Sequence, residues 1–173
     1  MRVKVAPGVW VLRAVTCAGI LVGLLAGIPE GFVPSIPIVV VVALGGVLAG
    51  FRPDQLGASV TVGVVLVWWG VTLRHEVPVG CLAAAAGLVA AHVSCTLLAY
   101  GPPSMSVPGF LVRVWVMRGF LVWLTAPAIW LVARAYADRA TPTSFWLAGL
   151  AAALAGAVVA ALAVPERGVR RDG

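Results

Sequence analysis

Charge is scarce in this chain. Of its 173 residues 10% are Asp, Glu, Lys or Arg and 62% are hydrophobic, where a soluble domain carries about 25% charged residues. A fold of this size exposes a large share of its residues, so a soluble structure could not hide that much apolar surface. With a mean hydropathy of +1.08, lipid is the predicted solvent for most of the chain.

Acidic residues are scarcer still, and their positions are informative. Glu30, Asp54, Glu76, Asp138, Glu166 and Asp172 all fall in predicted turns or the tail. Proton- and sodium-coupled carriers place ionisable groups inside the membrane, so cation-coupled transport is disfavoured. There are two histidines and three cysteines. Cys17, Cys81 and Cys95 all lie in apolar runs, odd in number and widely spaced, which argues against a disulfide framework or a zinc site. Nucleophile-elbow, H-E-x-x-H, P-loop and dinucleotide patterns are missing. The expectation is a non-enzymatic protein with no catalytic residue, metal or cofactor.

What is present is a series of apolar segments. Six can be drawn, at about 9–28, 34–51, 56–73, 78–100, 118–137 and 144–164, each long enough or nearly so to cross roughly 30 Å of hydrocarbon. Proline, glycine and charge break them at "IPEGFVPSIP", "FRPDQLG", "RHEVP" and "GPPSMSVPG". The loops leave no room for a soluble domain. The predicted fold is therefore all-α, a single polytopic transmembrane helix bundle over 1–173, ending in a short basic tail at 165–173. A β-barrel is disfavoured because the runs are continuous rather than alternating. Arg2 and Lys4 precede a run of about 20 residues, longer than the roughly 7–15 of a signal peptide, so an uncleaved first helix is expected. The second segment is the shortest; were it re-entrant, five spans would remain and everything after it would invert.

Net charge is +6, and all the basic residues except Lys4 are arginines. They are scattered singly, so a membrane topology signal explains them better than nucleic-acid binding. Six spans put Arg2, Lys4, Arg13, Arg52, Arg113, Arg118, Arg167, Arg170 and Arg171 on the side of the termini, against Arg74, Arg134 and Arg139. Both termini are thus expected in the cytoplasm, in a multi-pass protein of the plasma (inner) membrane. The Arg, Ala, Val and Gly richness suggests a bacterial, high-GC source. Trp68, Trp69, Trp130 and Trp146 fall near the outer ends of spans, and Trp10 and Trp115 near the inner ends, as two aromatic belts would. Trp123 alone falls inside a span.

Three groups of residues are candidates for chemistry or contact. The first is Arg13, Arg113 and Arg118, near the inner rim. Arg118 and Arg134 are 16 residues apart, about 24 Å of helix, with no charge between them. The fifth span is therefore expected to start near Arg118, with the preceding "PGFLVRVWVM" along the inner surface. These arginines would then be boundary anchors or contacts for an anionic lipid or partner. The second group is His92 and Cys95, three apart on one helix face, an intramembrane polar site or a packed histidine. His75 and Glu76 are adjacent and point apart, so they read as a solvated turn. The third group is Gly19, Gly23 and Gly27, with Gly46 and Gly50, at the four-residue spacing that lets helices approach closely.

Function is expected to be that of a non-catalytic accessory or scaffold subunit, in contact with the bilayer and with other membrane proteins or itself, and with no nucleic acid. One alternative is a small transporter or channel for an anion or lipid, using Arg113, Arg118 and His92. Another is a membrane enzyme acting on lipid, needing His75, Glu76 or His92.

Overall fold

In a computed structural model of the chain, residues 5–52, 57–72, 78–101, 104 and 107–136 are described. The chain divides into two compact units, Met1–Ala135 and Tyr136–Gly173. The expected sixth span, the basic tail, His75, Glu76, Asp54 and Trp146 lie outside the described residues, as does any test of where the termini sit.

Every described element is helical. They run α1 (Pro7–Leu25), a 3₁₀ turn (Ile28–Glu30), α2 (Ile36–Phe51), α3 (Gly57–Thr72), α4 (Gly80–Leu98), α5 (Gly109–Trp123) and α6 (Thr125–Tyr136). Prolines open α1 and α2 in the first turn, where a missing N–H costs nothing. The turn after α1 depends on Gly31, whose φ of 89° is a left-handed conformation that side chains resist.

Among the described residues three stretches are long and apolar enough to cross a membrane: Pro7–Glu30, Gly80–Leu98 and Gly109–Ala135. The helices α2 and α3 have 16 residues each, or about 24 Å.

The fifth span departs from expectation. The helix does not begin at Arg118 but at Gly109, and it runs through Arg113 and Arg118 without a break. The segment before Arg118 is therefore not a separate surface element. The interruption comes later, between Trp123 and Thr125. Pro127 has no N–H to give the Trp123 carbonyl and its ring crowds that turn.

α1 is central and runs antiparallel to both α2 and α4. Its most extensive contact is with α4, followed by α2, while α5 packs chiefly on α4. The buried core consists of Ile20 and Leu24 of α1, Val42 and Ala49 of α2, Val65 and Trp69 of α3, and Ala84 and Ala91 of α4. The α1–α4 approach is set by glycine. A Cβ on Gly19 would lie 2.5 Å from the Gly87 carbonyl oxygen, and one on Gly87 would lie 2.6 Å from that of Gly19. Gly23 faces Leu88, whereas Gly46 and Gly50 face Cys17, Ile20 and Arg13 at ordinary contact distance. Gly27 meets Phe32 and Trp69.

Each end of the bundle has its own fastening. At one end both carboxylate oxygens of Glu30 accept from the Gly80 N–H at 3.2 Å, so an anion sits on the positive N-terminus of α4. Glu30→Gln is expected to cost less than about 1 kcal/mol, and Glu30→Ala about 1 kcal/mol by removing the cap altogether. Thermal unfolding in mild detergent would show the ordering; equal stability of all three proteins would remove the cap from the account.

At the other end, Trp10 packs edge-on to Phe51 at 6.1 Å and Tyr100 edge-on to Trp115 at 6.1 Å.

Trp69, expected in an aromatic belt, lies in the protein core. It is buried, and its indole N–H donates to the Gly23 carbonyl at 2.7 Å. Trp123 donates to Leu82 O at 3.1 Å and Trp130 to Pro78 O at 3.2 Å, so two indoles hold the Gly109–Ala135 stretch along α4.

Candidate functional site in a groove between α3 and α5

Since α3 packs on α2 and α1 while α5 packs on α4, with no extensive contact between α3 and either α4 or α5, a gap remains beside α4. The result is a cavity of about 550 Å³, within the usual size of a small-ligand site. Most of its lining is apolar. Ser59, His92, Cys95, Trp115 and Arg118 interrupt that lining. Glycine widens it on the α3 side, where a Cβ on Gly63 would meet nothing within 4 Å.

Two residues singled out separately in the sequence thus come to one wall. His92 projects from α4 and Arg118 from α5; both are exposed and both line the groove. Gly119 explains the proximity. It is the one buried residue of α5, and its Cβ would lie 2.8 Å from Val93 and 3.2 Å from Val89. A small residue there lets α5 close onto α4, and its neighbour Arg118 turns to the groove.

Arg118 lies about a turn deeper than the aromatic end of the bundle. Its guanidinium is 5.7 Å from the Trp115 ring centre, the residue three positions back, as expected for a side chain leaning toward the helix N-terminus. Among the described residues it has no carboxylate partner. His92 likewise has no side-chain hydrogen bond among them; its backbone carbonyl accepts from Thr96 Oγ1 at 2.9 Å.

Cys95 shares the face but not the direction. Its thiol points into the core, 3.9 Å from Thr16 Oγ1 and 4.0 Å from the Ala49 carbonyl. His92 and Cys95 therefore do not converge on a common ligand. Among the described residues no group of three or more His, Cys, Asp or Glu could hold a metal ion.

The other two arginines have separate surroundings. Arg13 lies between aromatic faces, 5.0 Å from the Trp10 centre and 4.5 Å from the Phe51 centre. Its buried Nε has no hydrogen-bond partner among the described residues. The two rings offset part of the cost of that cation, and they occupy the faces a ligand would use. Arg113 is exposed on α5 and does not line the groove. Of the three rim arginines, Arg118 alone reaches it.

Sequence reasoning missed the groove because α3 carries none of the usual signals. Ser59 and Gly63 matter only by facing a gap, and the gap exists only once α3 is packed on α2 and α1 and α5 on α4. No family model, curated protein or solved structure matches the chain.

Proposed function

We propose that the chain is a multi-pass membrane protein that seats a lipid from the surrounding bilayer in the α3–α5 groove, acting as a binding protein or carrier rather than a catalyst. It belongs, in this proposal, to a bacterial plasma (inner) membrane, with six spans and both termini in the cytoplasm. The observation that carries the proposal is that Arg118 and His92 line one largely apolar, partly open groove. Apolar lining with few polar groups is the common composition of sites for amphiphilic molecules.

Gly63→Leu tests it. The new side chain meets open space and leucine favours helix over glycine, so the fold should persist while the groove fills. Native mass spectrometry after gentle detergent release should find lipid on the wild-type protein and little on the variant. Equal lipid retention at equal stability would reject the groove as the site.

An accessory subunit is the second reading, favoured by α5, where Gly119 alone is buried and the remaining apolar face is left uncovered by the described residues. The expected small-residue docking faces support it less, because α4 occupies Gly19 and Gly23, and α1 occupies Gly46 and Gly50. Stoichiometric companions crosslinked in native membrane and recovered through α5 would favour this reading over the carrier.

A further inference from the structure

Building on that groove proposal, we infer that the ligand is an acidic phospholipid whose phosphate is held by Arg118, with His92 as a second polar contact. Three observations converge on this chemistry.

The first is the state of Arg118. A guanidinium has five N–H donors and no acceptor. Its neighbour in the structure is the Trp115 ring, whose face attracts the charge but accepts hydrogen bonds poorly. An anionic oxygen ligand would supply what the ring does not. A phosphate suits the planar fork because it can accept two parallel hydrogen bonds.

The second is depth. Gly119 lies against Val89 and Val93, and Gly19 lies against Ala91, so Arg118 is level with α1 about one and a half turns inside Arg13. The side chain leans outward, toward Trp115 and Tyr100. The cation is thereby carried toward the arginine end of the bundle, as a snorkelling side chain would be. Leu66, Val89 and Val122 continue the groove toward the middle of the bundle. A polar contact above an apolar channel has the shape of a lipid. A free phosphate would leave the channel unfilled.

The third is the distribution of charge. Arg13, Arg52, Arg113 and Arg118 all belong to this end of the bundle. Glu30, the one carboxylate among the described residues, lies at the opposite end and is engaged with Gly80. An acidic headgroup is drawn to the arginine end, and among the described residues nothing of its own sign opposes it there.

The experiment uses the full chain in nanodiscs of phosphatidylcholine mixed with phosphatidylglycerol, with bound lipid identified by native mass spectrometry. Wild-type protein should retain phosphatidylglycerol preferentially. Arg118→Gln should lower that preference about tenfold, the loss of one charge-assisted contact. It should leave thermal stability nearly unchanged. Arg118→Lys should keep part of the preference, and Arg113→Gln should keep all of it, which separates a site from general surface charge.

An unchanged preference in Arg118→Gln, together with lipid loss in Gly63→Leu, overturns the headgroup assignment and spares the groove. Undiminished retention in Gly63→Leu overturns the groove itself. Displacement of the lipid by inorganic phosphate at comparable concentration overturns the lipid source. A Gly63→Cys variant that crosslinks to protein, whether a second copy or residues 144–164 of its own chain, overturns lipid occupancy.

Discussion

Gly87→Leu is expected to unfold most of the α1–α4 pair, at or beyond the top of the roughly 1–3 kcal/mol typical of overpacked cores. At position 87 a Cβ would meet the Gly19 carbonyl oxygen at 2.6 Å and the Gly23 nitrogen at 3.1 Å. Both are backbone atoms in the middle of a helix, and neither can rotate aside as a side chain would. The helices would have to separate along the most extensive interface of the bundle. In lipid this loss is hard to offset, because close van der Waals packing rather than water exclusion drives helix association. Gly70→Leu provides the control, since a Cβ there meets nothing within 4 Å. Unfolding in detergent with increasing SDS should show the Gly87 variant far less stable than wild type and the Gly70 variant close to it. Similar midpoints for both would mean that α1 and α4 do not approach as closely as the structure places them.

Trp69→Ala carries the second large expected effect. Trp69 is 5% exposed, packs on Trp68 at 5.1 Å between ring centres, and borders Gly27. It also donates a buried hydrogen bond to Gly23 in the last turn of α1, where carbonyls lack helical partners. Truncation leaves a cavity and an unsatisfied carbonyl. The cost should be about 3 kcal/mol, the low end for truncating a core tryptophan. Trp69→Phe retains most of the packing and loses only the hydrogen bond, so about 1 kcal/mol is expected. The same unfolding assay resolves the two; if Phe costs as much as Ala, polar bonding and not volume dominates at this position.

Trp69 also shows where the sequence is legible and where it is not. Its place near the end of an apolar run suggested an interfacial belt residue. Belt and core tryptophans have the same local sequence context. What distinguishes them is whether a carbonyl on a different helix comes within reach of the indole N–H. Arg118 is similar. Its spacing from Arg134 correctly marks an uncharged stretch, but charge spacing says nothing of where helical hydrogen bonding begins. Nothing between Gly109 and Arg118 breaks a helix, so the helix starts earlier and places Arg118 on the wall of a groove. Gly19 and Gly87 were visible as small residues, yet their pairing across 68 positions (from 19 to 87) depends on which helix α1 selects.

The sequence by itself determined the helical class, the presence of apolar helices long enough to cross a membrane and the approximate bounds of the first four helices. Those follow from composition, unbroken apolar runs and the prolines and glycines that interrupt backbone hydrogen bonding. Only the tertiary structure decided that the α1 glycines are spent on α4, that Arg13 sits between Trp10 and Phe51, and that Arg118 and His92 share a groove. Those outcomes depend on helix rotation and neighbour choice. In an all-apolar helix no amphipathic stripe announces either, and they are settled by close packing between residues far apart in the chain.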